Sequence, residues 1–543
     1  MNIFGKLMFG CIITTSVIAI SLKANGQSAN FKAGQNLEIQ YNILKELKGN
    51  YVDTINMEKL INTGIAAMLE SLDPYTEFLP EEDDETFELM RTATYGGIGA
   101  VIKKIDSLGV VISQPYWGSP AVTYGLEPGD IILKIDGVDV KPLTADECST
   151  KMKGQPGTQV TFLVKKARSG QTTEIKVTRD RVHIPDISYS GLLNDTTGYI
   201  KLDAFTEGGS KDVKKALVEL KNKGMKKLVL DLRGNGGGIM EEAVNIVALF
   251  VKNGTEVVSA KGRAPEANFT YTTSTEPIDT LLPLMVLVNS GSASSSEIVA
   301  GALQDLDRAT IMGTRTYGKG LVQAFRPTGY NGKLKLTTSK YYTPSGRCVQ
   351  AIDYTNRNSD GSVGIVPDSL KKEFKTLKGR SVYDGGGIAP DIEIKSEQYS
   401  RPAVSLVVND ILGDFAIAFY AQNKTIAPAR NFKLTDSQYT NFVKYAAARN
   451  FDSRSGAQTM IDQMLKAAKS ENLYEINKAE FDALEKKLII TKEEMLKLKR
   501  AEFQPLLEEE IVQKYYFTEG RIQSILRNDK QLHKAIETWN VKK

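Results

Sequence analysis

The chain has 543 residues, 41% hydrophobic and 25% charged, with a formal net charge of +4, three Cys and two His. That length implies about three or four domains. The apolar share excludes wholesale disorder, and balanced charge without a dense Lys/Arg run excludes nucleic acid as the main partner.

Residues 1–26 read as an export signal. Lys6 supplies the positive start, Leu7 to Leu22 an apolar stretch short for a membrane span, and Ala24 and Gly26 the small residues of a cleavage site before Gln27. The rival is a retained N-terminal anchor. The expected location is periplasmic or otherwise exported, with membrane association left open. Cys148 and Cys348 remain after removal of this segment, and their pairing is not legible in the sequence.

Residues 27–90 have helical spacing, with Leu60, Ile65, Met68 and Leu69 on one face, and Ser71-Leu72-Asp73-Pro74 closes the run. Residues 91–181 change to short strands, Val110–Ile112, Ile131–Leu133 and Val160–Val164, separated by Pro128-Gly129-Asp130 and Gly154-Gln155-Pro156-Gly157. From 182 to 400 strands alternate with helices. Lys227–Asp231 leads through a glycine turn to a helix over Met240–Val251, and Leu284–Val288 leads through a Gly/Ser turn to a helix over Ser296–Leu306. Such alternation implies α/β layering with sites at the strand-to-helix turns. Residues 401–543 are Lys/Glu-rich and read as helical, an interaction arm or substrate cradle on one reading and a solvated face on the other.

Four turns are candidates for chemistry. Asp231-Leu232-Arg233-Gly234-Asn235-Gly236-Gly237-Gly238 reads as a tight turn or an oxyanion cradle, and Ile239 breaks a dinucleotide fingerprint. Gly291-Ser292-Ala293-Ser294-Ser295-Ser296-Glu297 places hydroxyls at a helix N-terminus, with Ser296 and Glu297 expected as cap and first turn. Gly313 to Gly320 nearly fits a phosphate loop around Lys319, but Gly320 replaces the hydroxyl that holds Mg²⁺. Ser369 to Lys372 reads as solvated surface.

His183 and His533 are the only imidazoles, so a hydrolase built from this chain needs another base. Turns at one sheet edge converge, which brings the serines and Lys319 together, and a desolvated neutral lysine is a competent base for acyl transfer. Activity is then expected to rise with pH as that amine deprotonates.

The run Gly291 to Asp305 resembles the nucleophile segment of the C-terminal processing peptidases, the tail-specific serine proteases of family S41. Tyr317-Gly318-Lys319-Gly320-Leu321-Val322-Gln323 is similar to their lysine segment, and Tyr341 to Arg347 and Gly387 to Asp391 to further family blocks. Gly97-Ile98-Gly99 and Gly125 to Asp130 resemble their PDZ domain. The resemblance implies a multidomain α/β protein: a ClpP/crotonase-like core over 182–400, a PDZ domain over 91–181 upstream of it, and helical regions over 27–90 and 401–543.

It also implies Ser294 as nucleophile, Lys319 as base, Gln323 as its orienting partner, and an oxyanion hole from Gly237, Gly238 and Ser295. Gly97, Ile98 and Gly99 would receive a C-terminal carboxylate, and Lys153 stands where some relatives carry a gating arginine. No cofactor or metal is implied. The implied partners are proteins with apolar or unstructured C-termini, with a homodimer or higher oligomer left open and no nucleic acid. The rivals are a catalytically silent PDZ adaptor on the same fold and a hydrolase using His183.

Overall fold

The computed structural model describes residues 31–81, 84–105, 108–358 and 360–541. The export-signal expectation lies outside the described residues. The described residues divide into two compact units, one holding those between 31 and 80 with 324–337, the other those between 81 and 323 with those from 338 to 541.

In the smaller unit, Asn56 caps helix Met57–Glu70 by accepting the Lys59 N–H at 2.9 Å, and Ser71 ends it. Of the four apolar residues expected on one face, only Leu69 is buried; Leu60 and Met68 are exposed. Asp73 accepts from the N–H groups of Tyr75 and Thr76, closing the turn before strand Glu77–Leu79. That strand pairs antiparallel with residues 333–335.

The larger unit begins with a β-rich domain. Strands Ala100–Ile105, Gly109–Pro115, Ile131–Ile135, Gln159–Lys165 and Thr172–Thr178 form an antiparallel sheet. Helix Ala145–Met152 closes it over a core that includes Val110, Ile112, Phe162 and Cys148. Thr144 and Glu147 form a reciprocal capping box at that helix's start.

The α/β core is a six-stranded sheet in the order Ile187–Leu192, Thr197–Leu202, Lys227–Asp231, Leu284–Val288, Thr310–Gly313, Ile392–Glu393. The first pair is antiparallel and the rest are parallel. The central strands are apolar throughout because both faces are covered. Leu228, Leu230, Leu284 and Val286 pack with helices Gly209–Asn222, Met240–Ala248 and Ser295–Asp305. Val229, Met285 and Leu287, pointing the opposite way, pack with Leu526, Leu532, Ala535 and Trp539. That face of the sheet is therefore covered largely by helix Lys530–Val541, with Leu526 from the helix before it.

Residues 401–541 are mainly helical, and they are not a wholly solvated surface. Phe415, Phe419, Phe442, Phe503, Leu507 and Ile511 build an apolar core of their own. Among the described residues no single helix is long and apolar enough to cross a membrane. This domain also grips the β-rich one. Lys103 pairs with Asp410 at 2.6 Å and Asp414 at 2.7 Å. The Arg168 guanidinium lies 4.0 Å over the Tyr420 ring. From the long helix Arg500–Asn528, Lys514 Nζ donates to Ser113 O at 3.2 Å, and Phe517, where that helix kinks, meets Trp117 edge-on. Burial pushes the Lys514 amine down to about 8.

Candidate active site

The glycine turn and the serine turn leave adjacent parallel strands and are stitched together by side chains. Ser292 Oγ donates to Leu232 O at 2.8 Å, Ser296 Oγ to Asn235 O at 2.9 Å and Ser295 Oγ to Gly238 O at 2.8 Å. The Ala293 N–H also donates to Asn235 O. Three of the four serines thus fix the backbone. Ser294 alone gives its hydroxyl to none of these ties and is partly exposed, while Ser292, Ser295 and Ser296 are buried.

Ser294, not Ser296, stands at the cap position of helix Ser295–Asp305, and its φ of +55° with ψ of −116° is a conformation L-residues rarely adopt. Such strain holds a side chain where an unstrained turn would not. Gly237 makes the close approach feasible: its φ is +102°, and a Cβ there would stand 2.7 Å from Ser294 Cβ and 3.0 Å from the Ser295 nitrogen.

The expected first-turn acid has a different place. Glu297 is fully buried and accepts four hydrogen bonds. Its Oε2 takes the N–H groups of Ser294 at 2.9 Å and Lys319 at 2.8 Å. Its Oε1 takes the Gly318 N–H at 2.8 Å and the Thr316 hydroxyl at 2.6 Å. One carboxylate oxygen therefore holds both the Ser294 and Lys319 backbones, which cannot be further apart than those two bonds combined. Burial pushes this carboxyl up to about 7 in spite of its donors. Sequence reading missed this role; the signal was a Glu three residues after Ser294.

Lys319 is partly buried, between two glycines that the packing requires. A Cβ at Gly318, whose φ is +91°, would lie 2.4 Å from Ala351 Cβ; one at Gly320 would lie 2.7 Å from the Gln350 nitrogen. Buried Leu321 and half-buried Val322 follow, with Gln323 in the same extended strand, Leu321–Gly329. The far end of the serine helix is equally fixed. Gln304 and Asp305 both accept from the buried Arg347 guanidinium at 2.7 Å, and Gln304 donates to Asp391.

Among the described residues, the Ser295 and Gly238 N–H groups are given to no partner. The Gly237 N–H differs from expectation, because it donates to Asn235 Oδ1 at 2.8 Å. Gly237 shapes the cradle by close approach, while Ser295 and Gly238 hold the available donors. Asp231 at the start of the glycine turn is fully buried beneath Arg233 and the Tyr199 hydroxyl. His183 lies exposed on strand Asp180–His183 beside Thr94, and His533 contacts Leu526 O.

In the β-rich domain, Ile98 and Gly99 line a cavity of about 290 Å³ with Tyr116, Ser149, Met152 and Lys153. Their carbonyls accept from Ala121 and Tyr116, and among the described residues their own N–H groups have no partner. Gly97 does not line this cavity; it pairs with Asp180, and a Cβ on it would press on Tyr95. Lys153 Nζ lies 5.9 Å from the Tyr95 ring centroid. Cys148 and Cys348 are both free thiols.

Residues 196–369 match the model of peptidase family S41, residues 86–165 that of the PDZ domain, and residues 403–539 that of a probable PDZ-protease C-terminal helical domain. The chain is 35% identical to a carboxy-terminal-processing protease of Bartonella bacilliformis over 361 residues, 66% of this chain and 79% of that one. It is 33% identical to a probable CtpA-like serine protease of Staphylococcus aureus over 470 residues, 83% of this chain and 90% of that one. Among solved structures, the photosystem II D1 C-terminal processing protease is 26% identical, covering 65% of this chain and 92% of its own, with a TM-score of 0.35. The chain belongs to peptidase family S41, among the carboxy-terminal-processing serine proteases.

Proposed function

We propose that the chain is an exported endopeptidase that holds protein C-termini in its PDZ groove and cuts peptide bonds with Ser294 and Lys319. The observation that carries this reading is the single Glu297 oxygen accepting from both the Ser294 and Lys319 N–H groups. Neutral Lys319 takes the Ser294 proton as Oγ attacks the scissile carbonyl. The tetrahedral oxyanion faces the Ser295 and Gly238 N–H groups. Lys319 then passes its proton to the leaving amine, and water, deprotonated by the same lysine, hydrolyses the acyl-enzyme. Gln323 orients the amine.

The unpartnered N–H groups of Ile98 and Gly99 suit a C-terminal carboxylate added as a strand, with Met152 and Ile98 favouring an apolar last residue. Lys153 adds a charge at the same groove, without the planar fork of an arginine. Export rests on the N-terminal pattern of Lys6 and Leu7 to Leu22.

The test is degradation of an unfolded protein ending in apolar residues, compared with the same protein carrying acidic final residues. Ser294→Ala is expected to abolish cleavage while retaining the fold and binding of the C-terminal peptide. Cleavage retained by that variant overturns the Ser–Lys assignment; a wild-type protein that binds C-termini without cutting supports the adaptor.

A further inference from the structure

The glycine turn has two anchors. One is the serine cluster described above. The other lies on the opposite side, at Arg233, and it comes from the C-terminal helical domain. The Arg233 side chain is only 15% exposed and is shared between two carboxylates. Its Nε donates to both oxygens of Asp231 at 3.0 Å. Its Nη2 donates to Asp529 Oδ2 at 2.6 Å, and its Nη1 to Gln531 Oε1 at 2.9 Å. Burial opposes its charge, and the two carboxylates more than offset this, raising the guanidinium well above its ordinary value.

Asp529 is itself fixed. Its side chain is 9% exposed, and its Oδ1 accepts the Leu532 N–H at 2.8 Å, capping the final helix. Gln531 is tied to the core through Nε2 to Ile394 O at 2.6 Å. On the other side, Arg233 O accepts from Lys201 Nζ at 2.7 Å, and two residues on, Asn235 holds the Gly237 N–H and the Ala293 N–H. A continuous series of bonds therefore runs from the cap of the last helix to the turn that carries Gly238.

We propose that Asp529 is a positioning residue for the peptidase reaction: acting through Arg233, it sets the glycine turn so that the Gly238 N–H faces the oxyanion. The function of the helical domain is then in part catalytic support. The proposal rests on the Ser294–Lys319 reading. Its physical basis is that oxyanion donors stabilise charge only when held close to their working geometry, and small misplacement costs rate rather than binding.

The test uses the full chain with Asp529→Asn, which keeps the volume and the capping oxygen but removes the charge from Arg233. Asp529→Ser, which caps the helix without reaching Arg233, is the second variant. Each is measured for kcat and KM on a peptide substrate, for melting temperature and for binding of an uncleaved C-terminal peptide. The expected result is a kcat lowered by about tenfold or more in both, with KM and peptide binding unchanged. Arg233→Lys is expected to lose a similar amount, and the double variant with Asp529→Asn no more than the larger single loss, because one residue acts through the other. Unchanged kcat in both Asp529 variants, a loss confined to KM, or additive losses in the double variant overturns the proposal. Cleavage persisting in Ser294→Ala in the same assay instead overturns the Ser–Lys reading, so the two failures are told apart.

Discussion

Glu297→Gln separates a functional role for this buried carboxylate from a merely local one. Four donors converge on its two oxygens. A glutamine offers one oxygen and one NH₂, so one pair of donors must face the amide nitrogen. The less costly orientation keeps the oxygen on Ser294 and Lys319 and turns the Thr316 hydroxyl into an acceptor, leaving the Gly318 N–H opposed to an amide. A buried unsatisfied donor costs about 1–3 kcal/mol. The opposite orientation strands the Ser294 and Lys319 N–H groups together, at roughly twice that cost. Displacement of the Lys319 turn by even part of this energy lowers kcat by roughly tenfold to a hundredfold.

The pH behaviour gives a second readout. The native carboxyl is pushed up to about 7, above its ordinary range, so its protonated form is favoured in the folded state. Its stabilising contribution is fully present below the usual carboxylate pKa and is lost as pH rises through about 7. The four-fold acceptor is complete only once the proton leaves. Wild-type kcat is therefore expected to show an acid limb near 7, while this group's share of stability falls across the same interval. Both features vanish in Glu297→Gln. Steady-state kinetics and thermal melts between pH 5 and 9 provide the assay. A variant with wild-type kcat and an unmoved acid limb refutes the reasoning.

Lys319→Ala is expected to remove turnover while retaining C-terminal peptide binding, as measured by fluorescence polarisation. His183→Ala is expected to keep most of the wild-type kcat, since that ring lies exposed beside Thr94; a large loss would restore an imidazole base. Ser294→Gly relieves the φ of +55° and is expected to raise stability by about 1 kcal/mol in denaturant unfolding while abolishing cleavage. Gly318→Ala combines a φ of +91° with a 2.4 Å approach to Ala351. It is expected to destabilise the fold by about 2–4 kcal/mol and to lower activity with it.

The sequence made the strands at Lys227–Asp231 and Leu284–Val288 legible, because buried parallel strands are short apolar runs between turn residues. The helix starts were less legible. Four serines within five residues offered several caps, with Ser296 the one expected, and the ties of Ser292, Ser295 and Ser296 to the glycine turn leave Ser294 as the one whose hydroxyl is not given to that turn. Glu297 read as part of a cap and first turn; its spacing from Ser294 signals one partner, but nothing local says that the other three lie about twenty residues downstream. Leu60 and Met68 follow the helical period yet stay exposed, since periodicity reports an apolar face and not what covers it. Asp529 gave no signal at all. A carboxylate in a Lys/Glu-rich helical region looks solvated until the sheet it serves is seen.

The placement of the last helix has a consequence for biosynthesis. The sheet that carries the active-site turns keeps one face bare until residues 526–541 arrive, and these leave the ribosome only after the whole helical domain has been made. A nascent or prematurely ended chain would hold Ser294 and Lys319 but present Tyr199, Val229, Met285 and Leu287 to solvent, with Arg233 lacking Asp529. A chain lacking residues 526–541 is thereby expected to expose an apolar sheet face beside the active-site turns, the kind of surface that makes incompletely folded species prone to aggregation.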